Sequence, residues 1–268
     1  MYRVISLGIF FSAEGIMKIW VFKKRAILIL AVVLVSALVV GIISVPSVTA
    51  STSTRSLPIY CVDSDTKKVA LTFDAAWGNE DTEELISILA KYNVKATFFV
   101  VGEWVDKYPE SVKALHDAGH DVMSHSNHHD HMPTLSVDKI IADLTAVNEK
   151  ISNVTGITPN LFRAPYGDYD NKVIDTVSSI GMYTIQWDVD SLDWKNLSAS
   201  EIAQRVLGKV QNGSIVLFHN AALNTPAALS TIIEGLLNQG FEIVKVNDLI
   251  YKENYYIDHT GRQFKNNG

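Results

Sequence analysis

From Lys68 onward, short apolar runs alternate with longer amphipathic segments along the chain. The short runs are rich in β-branched and aromatic residues, and several are apolar on both faces, which is typical of parallel strands covered by helices. We predict strands over residues 69–73, 96–101, 121–124, 160–162, 183–187, 214–218 and 242–246.

The amphipathic segments between these runs predict helices over residues 81–92, 109–118, 136–155, 172–180, 198–210 and 227–239. Ser136 and Ser198 are predicted N-caps, and Glu201 would complete a capping box with Ser198. Glycine follows four of the segments, where helix C-termini are expected, at Gly119, Gly156, Gly181 and Gly240.

Seven strands alternating with six helices indicate an α/β fold, either a βα barrel or a doubly wound sheet. Polar residues follow nearly every predicted strand, at Asp74, His125 with His129, Arg163, Asp190 with Asp193, and His219. The carboxyl ends of barrel strands all open onto one face, whereas an open sheet would spread such residues along a line. We therefore predict a distorted, TIM-like (β/α) barrel of about seven strands, preceded by an N-terminal signal or anchor helix.

The N-terminus has the pattern of an export segment. Three cations at residues 23–25 precede an uncharged run over residues 26–45. A run of about 20 residues is longer than a usual signal core and sufficient to span a bilayer as a helix. The cations would hold the N-terminus in the cytoplasm and place the rest of the chain outside. Small residues at 48–50 suit signal peptidase, so a cleaved signal and a retained membrane anchor both remain open.

The charge and the cysteine content of the chain limit the partners and the kinds of metal site that it can have. Residues 1–50 hold five of the 23 basic and one of the 29 acidic side chains, so the remainder has 18 against 28 and a formal charge of −10. Such an acidic body has no electrostatic reason to bind nucleic acid or anionic lipid, and a neutral or zwitterionic polymer fits better. Cys61 stands alone, which excludes an internal disulfide and a cysteine-rich zinc site.

The polar residues after the strands carry the chemistry. Asp74 places a carboxylate at the predicted barrel mouth, and His219 ends a fully apolar strand. His125 and His129 could share a zinc or other divalent ion if their segment enters a helical turn. A carboxylate and an imidazole on opposite sides of a metal-bound water form the minimal set for metal-assisted amide hydrolysis.

Three further residues accompany this set. Arg163 and Asp193 follow neighbouring strands along the sequence and would form an ion pair at the mouth. Tyr166 and Trp194 offer aromatic faces of the kind that pack against sugar rings, although each could equally belong to the core.

Five ordered segments resemble the motifs of the polysaccharide deacetylase (NodB-homology, carbohydrate esterase family 4) family. They are Thr72-Phe73-Asp74, His125-Ser126-Asn127-His128-His129, Arg163-Ala164-Pro165-Tyr166, Asp190-Ser191-Leu192-Asp193-Trp194 and Leu217-Phe218-His219. The resemblance covers roughly residues 65–250 and implies hydrolysis of N-acetyl groups on peptidoglycan or chitin-like sugars. Together with the N-terminal pattern, it divides the chain into four parts: a signal or anchor over 1–50, with Met17 as an alternative start, a linker over 51–66, the deacetylase domain over 67–252 and a tail over 253–268.

The resemblance also implies roles for single residues. Asp74 matches the catalytic base and His219 the catalytic acid. Arg163 matches the residue that orients the base, with Asp193 as its partner. The metal ligands are matched by His125 and His129, and the substrate-binding positions by Pro165, Tyr166 and Trp194.

One family residue is replaced. The family has a second aspartate after the base as its third metal ligand, and this chain has Ala75 there, which weakens the implied zinc or cobalt site. Asp130 or His131 could substitute for it. The Phe73–Gly78 segment resembles a sporulation-associated subgroup of the family. We expect an exported peptidoglycan N-deacetylase, with an inactive glycan-binding wall protein and a non-sugar amide hydrolase as alternatives.

Overall fold

The computed structural model describes residues 55–266 and, nearer the N-terminus, residues 24, 26–29 and 31. The predicted export segment over residues 26–45 therefore lies largely outside the described residues, and residues 48–50 lie wholly outside them. Contacts divide the chain into two units, Met1–Thr54 and Arg55–Gly268. Within the described part of the chain, no helix combines the length and the apolar character needed to cross a bilayer.

Residues 55–266 form eleven strands and eight α-helices. The strands are β1 Cys61–Val62, β2 Lys68–Ala75, β3 Thr97–Val100, β4 Asp121–Ser124, β5 Leu161–Phe162, β6 Tyr183–Thr184, β7 Val189–Asp190, β8 Ser214–His219, β9 Glu242–Val244, β10 Tyr255–Ile257 and β11 Arg262–Lys265. The helices are α1 Thr82–Lys91, α2 Gly102–Lys107, α3 Pro109–Asp117, α4 Val137–Thr155, α5 Asn171–Ser179, α6 Ala199–Leu207, α7 Thr225–Asn238 and α8 Val246–Leu249.

The strands curl into a distorted barrel. β8, β2, β3, β4, β5 and β6 follow one another in the sheet as parallel neighbours, and β1 pairs with β8. Ile59 closes the ring, because its N–H donates to the Thr184 carbonyl at 2.9 Å and its carbonyl accepts from the Gln186 N–H at 2.7 Å. The predicted distorted (β/α) barrel is thereby confirmed, with short strands on the β5–β6 side.

Alternation along β2 separates the two layers of the core. Its odd-numbered residues from Val69 to Ala75 pack among the helices. Ala70 faces the other way, into an apolar barrel interior that also holds Phe99 and Ile215. Successive side chains of a strand point to opposite faces, so Thr72 and Asp74 share the interior face near the carboxyl end of the strand. The fold thus directs Asp74 into the mouth of the barrel.

Helix ends follow the predicted signals. The Ser136 hydroxyl accepts from the Lys139 N–H, and Ser198 with Glu201 forms the full capping box. Gly156 ends α4 in the left-handed conformation at φ 74°. These caps fix where α4 and α6 begin, and hence the length of the loops that precede them.

The chain after β9 adds strands that the apolar pattern does not predict. β10 and β11 form an antiparallel hairpin, and β11 pairs in parallel with β1. Gln263 is fully buried there, and its side chain accepts from the Tyr251 N–H at 2.9 Å and donates to the Tyr251 carbonyl at 2.6 Å. Residues 255–265 therefore extend the sheet next to β1.

Candidate active site

Five of the seven polar residues predicted to follow the strands line one cavity of about 430 Å³ at the carboxyl ends of the strands, and the other two, Arg163 and Asp193, bind lining residues. It is lined by Asp74, Ala76, Trp77, His125, His129, Tyr166, Gly167, Trp187, Asp190, Trp194, Leu217 and His219. Residues far apart in sequence meet there because parallel barrel strands end on one face.

Asp74 is buried and held by Arg163. Its Oδ1 accepts from Arg163 Nη1 at 2.7 Å, and its Oδ2 lies 3.6 Å from Nε2 of His125. Burial alone would raise the pKa of Asp74, but the charge of Arg163, with His125 and His219, outweighs burial and lowers it below its ordinary value. Asp74 is therefore an ionised carboxylate at neutral pH.

Arg163 is completely buried inside the barrel. Besides Asp74, its guanidinium donates to the Thr72 hydroxyl at 2.9 Å and to the Gln186 carbonyl at 3.1 Å, and it lies 4.2 Å from the Phe99 ring centroid. A buried cation needs such a partner set, and removing one partner of a buried ion pair costs about 3–5 kcal/mol. These contacts fix the position of the Asp74 carboxylate.

The predicted Arg163–Asp193 ion pair is wrong. Arg163 follows β5 and pairs with Asp74 on β2, across the barrel interior. Asp193 follows β7, which pairs with β8, and its carboxylate binds His219 at the end of that strand. Two residues that follow successive predicted strands along the chain therefore lie in different parts of the mouth.

Asp193 holds His219 at two points. Asp193 Oδ1 lies 2.8 Å from Nδ1 of His219, and Oδ2 accepts from the His219 backbone N–H at 2.8 Å and from the Thr225 hydroxyl at 2.7 Å. Burial by itself lowers the pKa of His219, but the hydrogen bond and charge of Asp193 raise it above the ordinary value. Because Nδ1 is engaged by the Asp193 carboxylate, Nε2 is the ring atom that can take up or release a proton.

His125 is buried and neutral. Its Nδ1 lies 2.8 Å from the Arg163 carbonyl oxygen, which can only accept, so Nδ1 carries the proton and Nε2 keeps a lone pair. Burial lowers the pKa of His125 and outweighs the opposing effect of Asp74. The tautomer that a metal requires is thus set by the backbone of the next motif.

His129 approaches His125 through an irregular turn, so the helical turn that the residue spacing required for a shared ion is not formed. Ser126 and His129 both adopt positive φ, at 67° and 59°, and the Ser126 hydroxyl accepts from the His129 N–H at 2.9 Å. The irregular turn brings the His125 and His129 ring centroids to 5.0 Å. Burial lowers the pKa of His129 to about 4, so both rings are neutral at pH 7.

The third ligand position is apolar. Ala75 is 1% exposed and packs on the helix side of β2. The predicted substitutes lie elsewhere: Asp130 lines another cavity, and His131 binds Asp168 at 3.0 Å and stacks on Tyr166. Among residues 55–266, no three histidine, cysteine or acidic side chains converge as a metal site. Two neutral imidazoles fit a divalent ion completed by solvent, a weaker site than one with three protein ligands.

Aromatic side chains form the walls of the cavity. Tyr166 and Trp194 are 60% and 55% exposed, so neither is a core residue, whereas Pro165 is buried. Tyr166 has φ 60° in the turn after β5. Gly167 follows at φ 66°, and a Cβ there would lie 3.0 Å from the Trp187 ring, so glycine lets the turn approach that wall.

Three residues of the site were missed from the sequence. Trp77 and Trp187 line the cavity, and Asn220 supports the loop that carries Trp77. Trp77 lies within the Phe73–Gly78 segment, and Asn220 directly follows His219, so both were within reach of a motif-based search. A tryptophan between two strands can equally be a core residue, so the sequence alone could not show that Trp77 and Trp187 line a cavity.

The family model for polysaccharide deacetylase matches residues 62–185. YlxY of Bacillus subtilis strain 168 is 35% identical over 193 residues, which cover 72% of this chain and 60% of YlxY. PdaA of the same strain, a peptidoglycan-N-acetylmuramic acid deacetylase, is 31% identical over 198 residues that cover 72% of this chain and 75% of PdaA. The chain thus spans less than two thirds of YlxY and most of PdaA.

Solved structures show the same fold. BA3943 of Bacillus anthracis, described as a pseudoenzyme of carbohydrate esterase family 4, is 37% identical with a TM-score of 0.70, covering 73% of this chain and 69% of BA3943. A BA3943 mutant described as having restored enzymatic activity matches with 38% identity and a TM-score of 0.70, covering 73% of this chain and 71% of the mutant. With its barrel and its five motifs meeting at one mouth, this chain belongs to the polysaccharide deacetylase family.

Proposed function

We propose that the chain removes N-acetyl groups from peptidoglycan or a chitin-like cell-wall glycan. The observation that carries this proposal is the pairing of Asp74 with His219. They are register partners on β2 and β8, each is tied to its own buried partner, and both line the aromatic cavity. A binding protein needs no such pair of proton-transfer groups.

Asp74 is proposed as the general base. Its lowered pKa keeps it ionised, and Arg163 fixes its orientation, so it can accept a proton from the water that attacks the acetyl carbonyl carbon. A weakly basic carboxylate gains its effect from position, because Arg163 fixes it where it would face the attacking water.

His219 is proposed as the general acid. Its raised pKa keeps more of the imidazolium at neutral pH than a free histidine would have, and Asp193 stabilises that charge. As the C–N bond breaks, His219 donates a proton to the leaving amine nitrogen, and acetate leaves with the oxygen of the attacking water. The two partners, Arg163 and Asp193, thus set the base and the acid in opposite protonation states.

His125 and His129 are the proposed ligands of a divalent ion, zinc or cobalt. Such an ion, when bound, would polarise the acetyl carbonyl as a Lewis acid. We expect His125→Ala to abolish zinc binding in isothermal titration and Asp130→Ala to leave it intact, because Asp130 lines another cavity. Loss of zinc binding in Asp130→Ala instead would make Asp130 the replacement for the missing carboxylate.

The second candidate function is glycan binding without turnover. Ala75 favours it, because the buried methyl group leaves His125 and His129 as the proposed donors, and no third one joins them within residues 55–266. The similarity to BA3943, described as a pseudoenzyme, supports the same candidate. Retention of the Asp74–Arg163 and His219–Asp193 pairs weighs against it, since binding alone does not require them.

Acetate release separates the two candidates. The full chain would be incubated with N-acetylated peptidoglycan, with zinc or cobalt and with a chelator. Release that disappears in Asp74→Asn and with the chelator supports the deacetylase, and circular dichroism must show that Asp74→Asn folds, because Arg163 loses its buried counter-charge. Sedimentation of the protein with insoluble peptidoglycan, without any acetate release, would support the binding protein.

The proposed substrate lies outside the cytoplasmic membrane, and the sequence of residues 23–45 supports export of the chain as a secreted or anchored wall protein. The resemblance of Phe73–Gly78 to a sporulation-associated subgroup supports a substrate in the spore cortex. Protease digestion of intact protoplasts tests the side of the membrane, because an exported body is degraded while cytoplasmic controls survive. Comparing wall acetylation between a deletion strain and its parent during sporulation tests the second point.

A further inference from the structure

Trp77 is an exposed indole beside the site, within the Phe73–Gly78 segment, and the motifs give it no role. It is 62% exposed, lines the 430 Å³ cavity and stands edge-on to the His129 ring at 5.3 Å between centroids. Tyr166 and Trp194 are the other strongly exposed aromatic side chains of this lining. The loops after β2, β5 and β7 therefore each present one aromatic face to the same opening.

The backbone of the Trp77 loop is held from two sides. Asn220 Nδ2 donates to the Trp77 carbonyl at 2.8 Å and to the Gly78 carbonyl at 2.5 Å, and Asn220 Oδ1 accepts from the Ala76 N–H at 3.3 Å. The Trp104 indole N–H lies 2.8 Å and 2.7 Å from the same two carbonyl oxygens. Both supporting side chains are at least 95% buried, so three consecutive residues of the loop are anchored to the core.

This arrangement distinguishes Trp77 from an incidental surface residue. Exposing an indole forgoes the stabilisation that its burial would contribute, about 1.5–3 kcal/mol for a large apolar side chain. Immobilising the backbone removes much of the entropy that a ligand would otherwise have to overcome on binding. A rigidly presented aromatic face with few rotatable bonds is the usual form of a recognition surface.

The cavity lining indicates the charge of the ligand. It holds the carboxylates of Asp74 and Asp190 and no lysine or arginine side chain, and the charge of its imidazole with a raised pKa, His219, is balanced by Asp193. The nearest guanidinium, Arg163, is fully buried and committed to Asp74. A neutral sugar ring with an apolar face therefore suits the opening better than a ring that carries a carboxylate of its own.

We propose that Trp77 stacks on the pyranose ring of a neutral N-acetylhexosamine unit next to the sugar that reacts. This inference rests on the proposed action on N-acetylated glycan, and it makes Trp77 a specificity-determining residue rather than a catalytic one. Trp77 and Trp194 would contact different units of one strand, since they follow β2 and β7 on either side of β8.

The test measures binding without turnover. All variants carry Asp74→Asn and are kept in chelator, and a soluble N-acetylglucosamine oligomer is titrated into the full chain by calorimetry. We expect Trp77→Ala to weaken the Kd about tenfold, as for truncation of an aromatic recognition residue, and Trp77→Phe to weaken it less. The matched control is Tyr256→Ala, which removes an aromatic ring 50% exposed on β10, outside the cavity lining, and should leave the Kd unchanged.

Three outcomes would overturn the inference. One is equal Kd values for the Asp74→Asn parent and its Trp77→Ala form, and another is no oligomer binding by that parent at all. The third is a Trp77→Ala substitution that spares oligomer binding but lowers the zinc affinity, which is measured with Asp74 intact. That result would mean that Trp77 shields His129 from solvent. Binding by the parent with no acetate release from the wild-type chain would refute deacetylation and leave the Trp77 inference standing.

Discussion

A single buried partner sets the charge of the base and of the acid proposed at the mouth of the barrel. Arg163 lowers the pKa of Asp74, whereas Asp193 raises the pKa of His219, although burial acts on each group in the opposite direction. His125 and His129 have no such carboxylate hydrogen bond, so burial prevails and lowers their pKa values. One small cavity therefore holds an ionised acid, a basic imidazole and two neutral imidazoles.

Asp193→Asn tests this assignment. Because the folded-state pKa of His219 is raised above its unfolded value, the charged pair stabilises the fold below pH ~6.5, and that stabilisation is lost as pH rises through the raised pKa. Asparagine keeps a side chain of the same shape but removes the charge. We expect the pKa of His219, measured by NMR of the imidazole, to fall by about one unit or more, and any alkaline limb of the activity profile to move with it.

Thr225→Val is the matched control for Asp193→Asn. It removes the 2.7 Å hydrogen bond from the Thr225 hydroxyl to Asp193 Oδ2 but keeps the carboxylate charge. The pKa of His219 should then change much less than in Asp193→Asn. An equal fall in both variants would show that packing around Asp193, rather than its charge, raises the pKa of His219.

Ala75→Asp tests the missing ligand. Without metal, a carboxylate at a position 1% exposed is costly, and we expect the free energy of unfolding to fall by about 2–4 kcal/mol. If the new carboxylate joins His125 and His129, zinc at 100 times its Kd should return about 2.7 kcal/mol. Urea unfolding in chelator measures the destabilisation by the carboxylate, and urea unfolding with zinc measures the stability that the metal restores. Acetate release should rise with zinc.

Ala75→Asn controls for the added volume and polarity. Its amide should destabilise the protein while leaving the response to zinc equal to that of the parent. A zinc response in Ala75→Asp no larger than in Ala75→Asn would mean that a side chain at position 75, directed toward the helices, does not reach the two imidazoles.

At the scale of elements, the sequence predicts the strands that a local pattern of apolar residues determines. The strands predicted at β2, β3, β4 and β8 are confirmed within two residues at either end, and the bounds of β4, Asp121–Ser124, match the prediction. β1 and β7, each of two residues, are too short to show any period, and their existence depends on neighbours supplied by β8 and β11.

Which residues meet across the mouth depends on sheet order, which apolar periodicity does not encode. Arg163 and Asp193 follow consecutive predicted strands, so an ion pair between them was a natural expectation. In the barrel, β7 lies on the far side of β8 from β2, and each charged residue finds a different partner. Likewise, the left-handed turn at His129 has no signal in residue spacing, because it arises from the Ser126 hydrogen bond and close ring packing.

Gln263→Ala tests how much the C-terminal hairpin contributes to the barrel. The substitution leaves the Tyr251 N–H and carbonyl without their side-chain partners in a partly buried setting. We expect the free energy of unfolding to fall by about 1–3 kcal/mol, the cost of unsatisfied buried polar groups. Lys265→Ala, at an exposed position of the same strand, should change it by less than about 0.5 kcal/mol. Equal effects of the two substitutions in urea unfolding would mean that the hairpin is only loosely joined to β1.

At the scale of the whole molecule, the two ends of the barrel have different tasks. The carboxyl ends of the strands carry the candidate active-site cavity, whereas the opposite end carries polar contacts between the residues that flank the strands. There Lys245 Nζ donates to Asp121 at 2.8 Å, and Nδ1 of His120 accepts from the Ala96 N–H at 3.1 Å. His120 is 3% exposed and packs on Phe98 with ring centroids 5.4 Å apart. Its task is structural, because it closes the turn before β4.

His120 should also make the fold sensitive to acid. Burial, followed by the charge of Lys95, lowers the pKa of His120 to about 4, whereas in the unfolded chain it is ~6.5. The unfolded state therefore takes up the proton first, so stability is present above pH ~6.5 and is lost as pH falls toward 4. A full difference of about 2.5 pH units corresponds to about 3 kcal/mol. Urea unfolding at pH 7 and pH 4.5 should show this loss.

His120→Asn isolates that contribution from those of His125 and His129, whose lowered pKa values act in the same direction. Asparagine Oδ1 can accept the Ala96 N–H in place of Nδ1 but does not titrate, so the variant should lose about 2–3 kcal/mol less than the parent between pH 7 and pH 4.5. It should start from a lower stability at pH 7, because the contact with Phe98 is lost. His259→Asn, exposed between β10 and β11, should keep the pH dependence of the parent. An unchanged acid response in His120→Asn would place the acid sensitivity elsewhere, as at His125 and His129 in the mouth of the barrel.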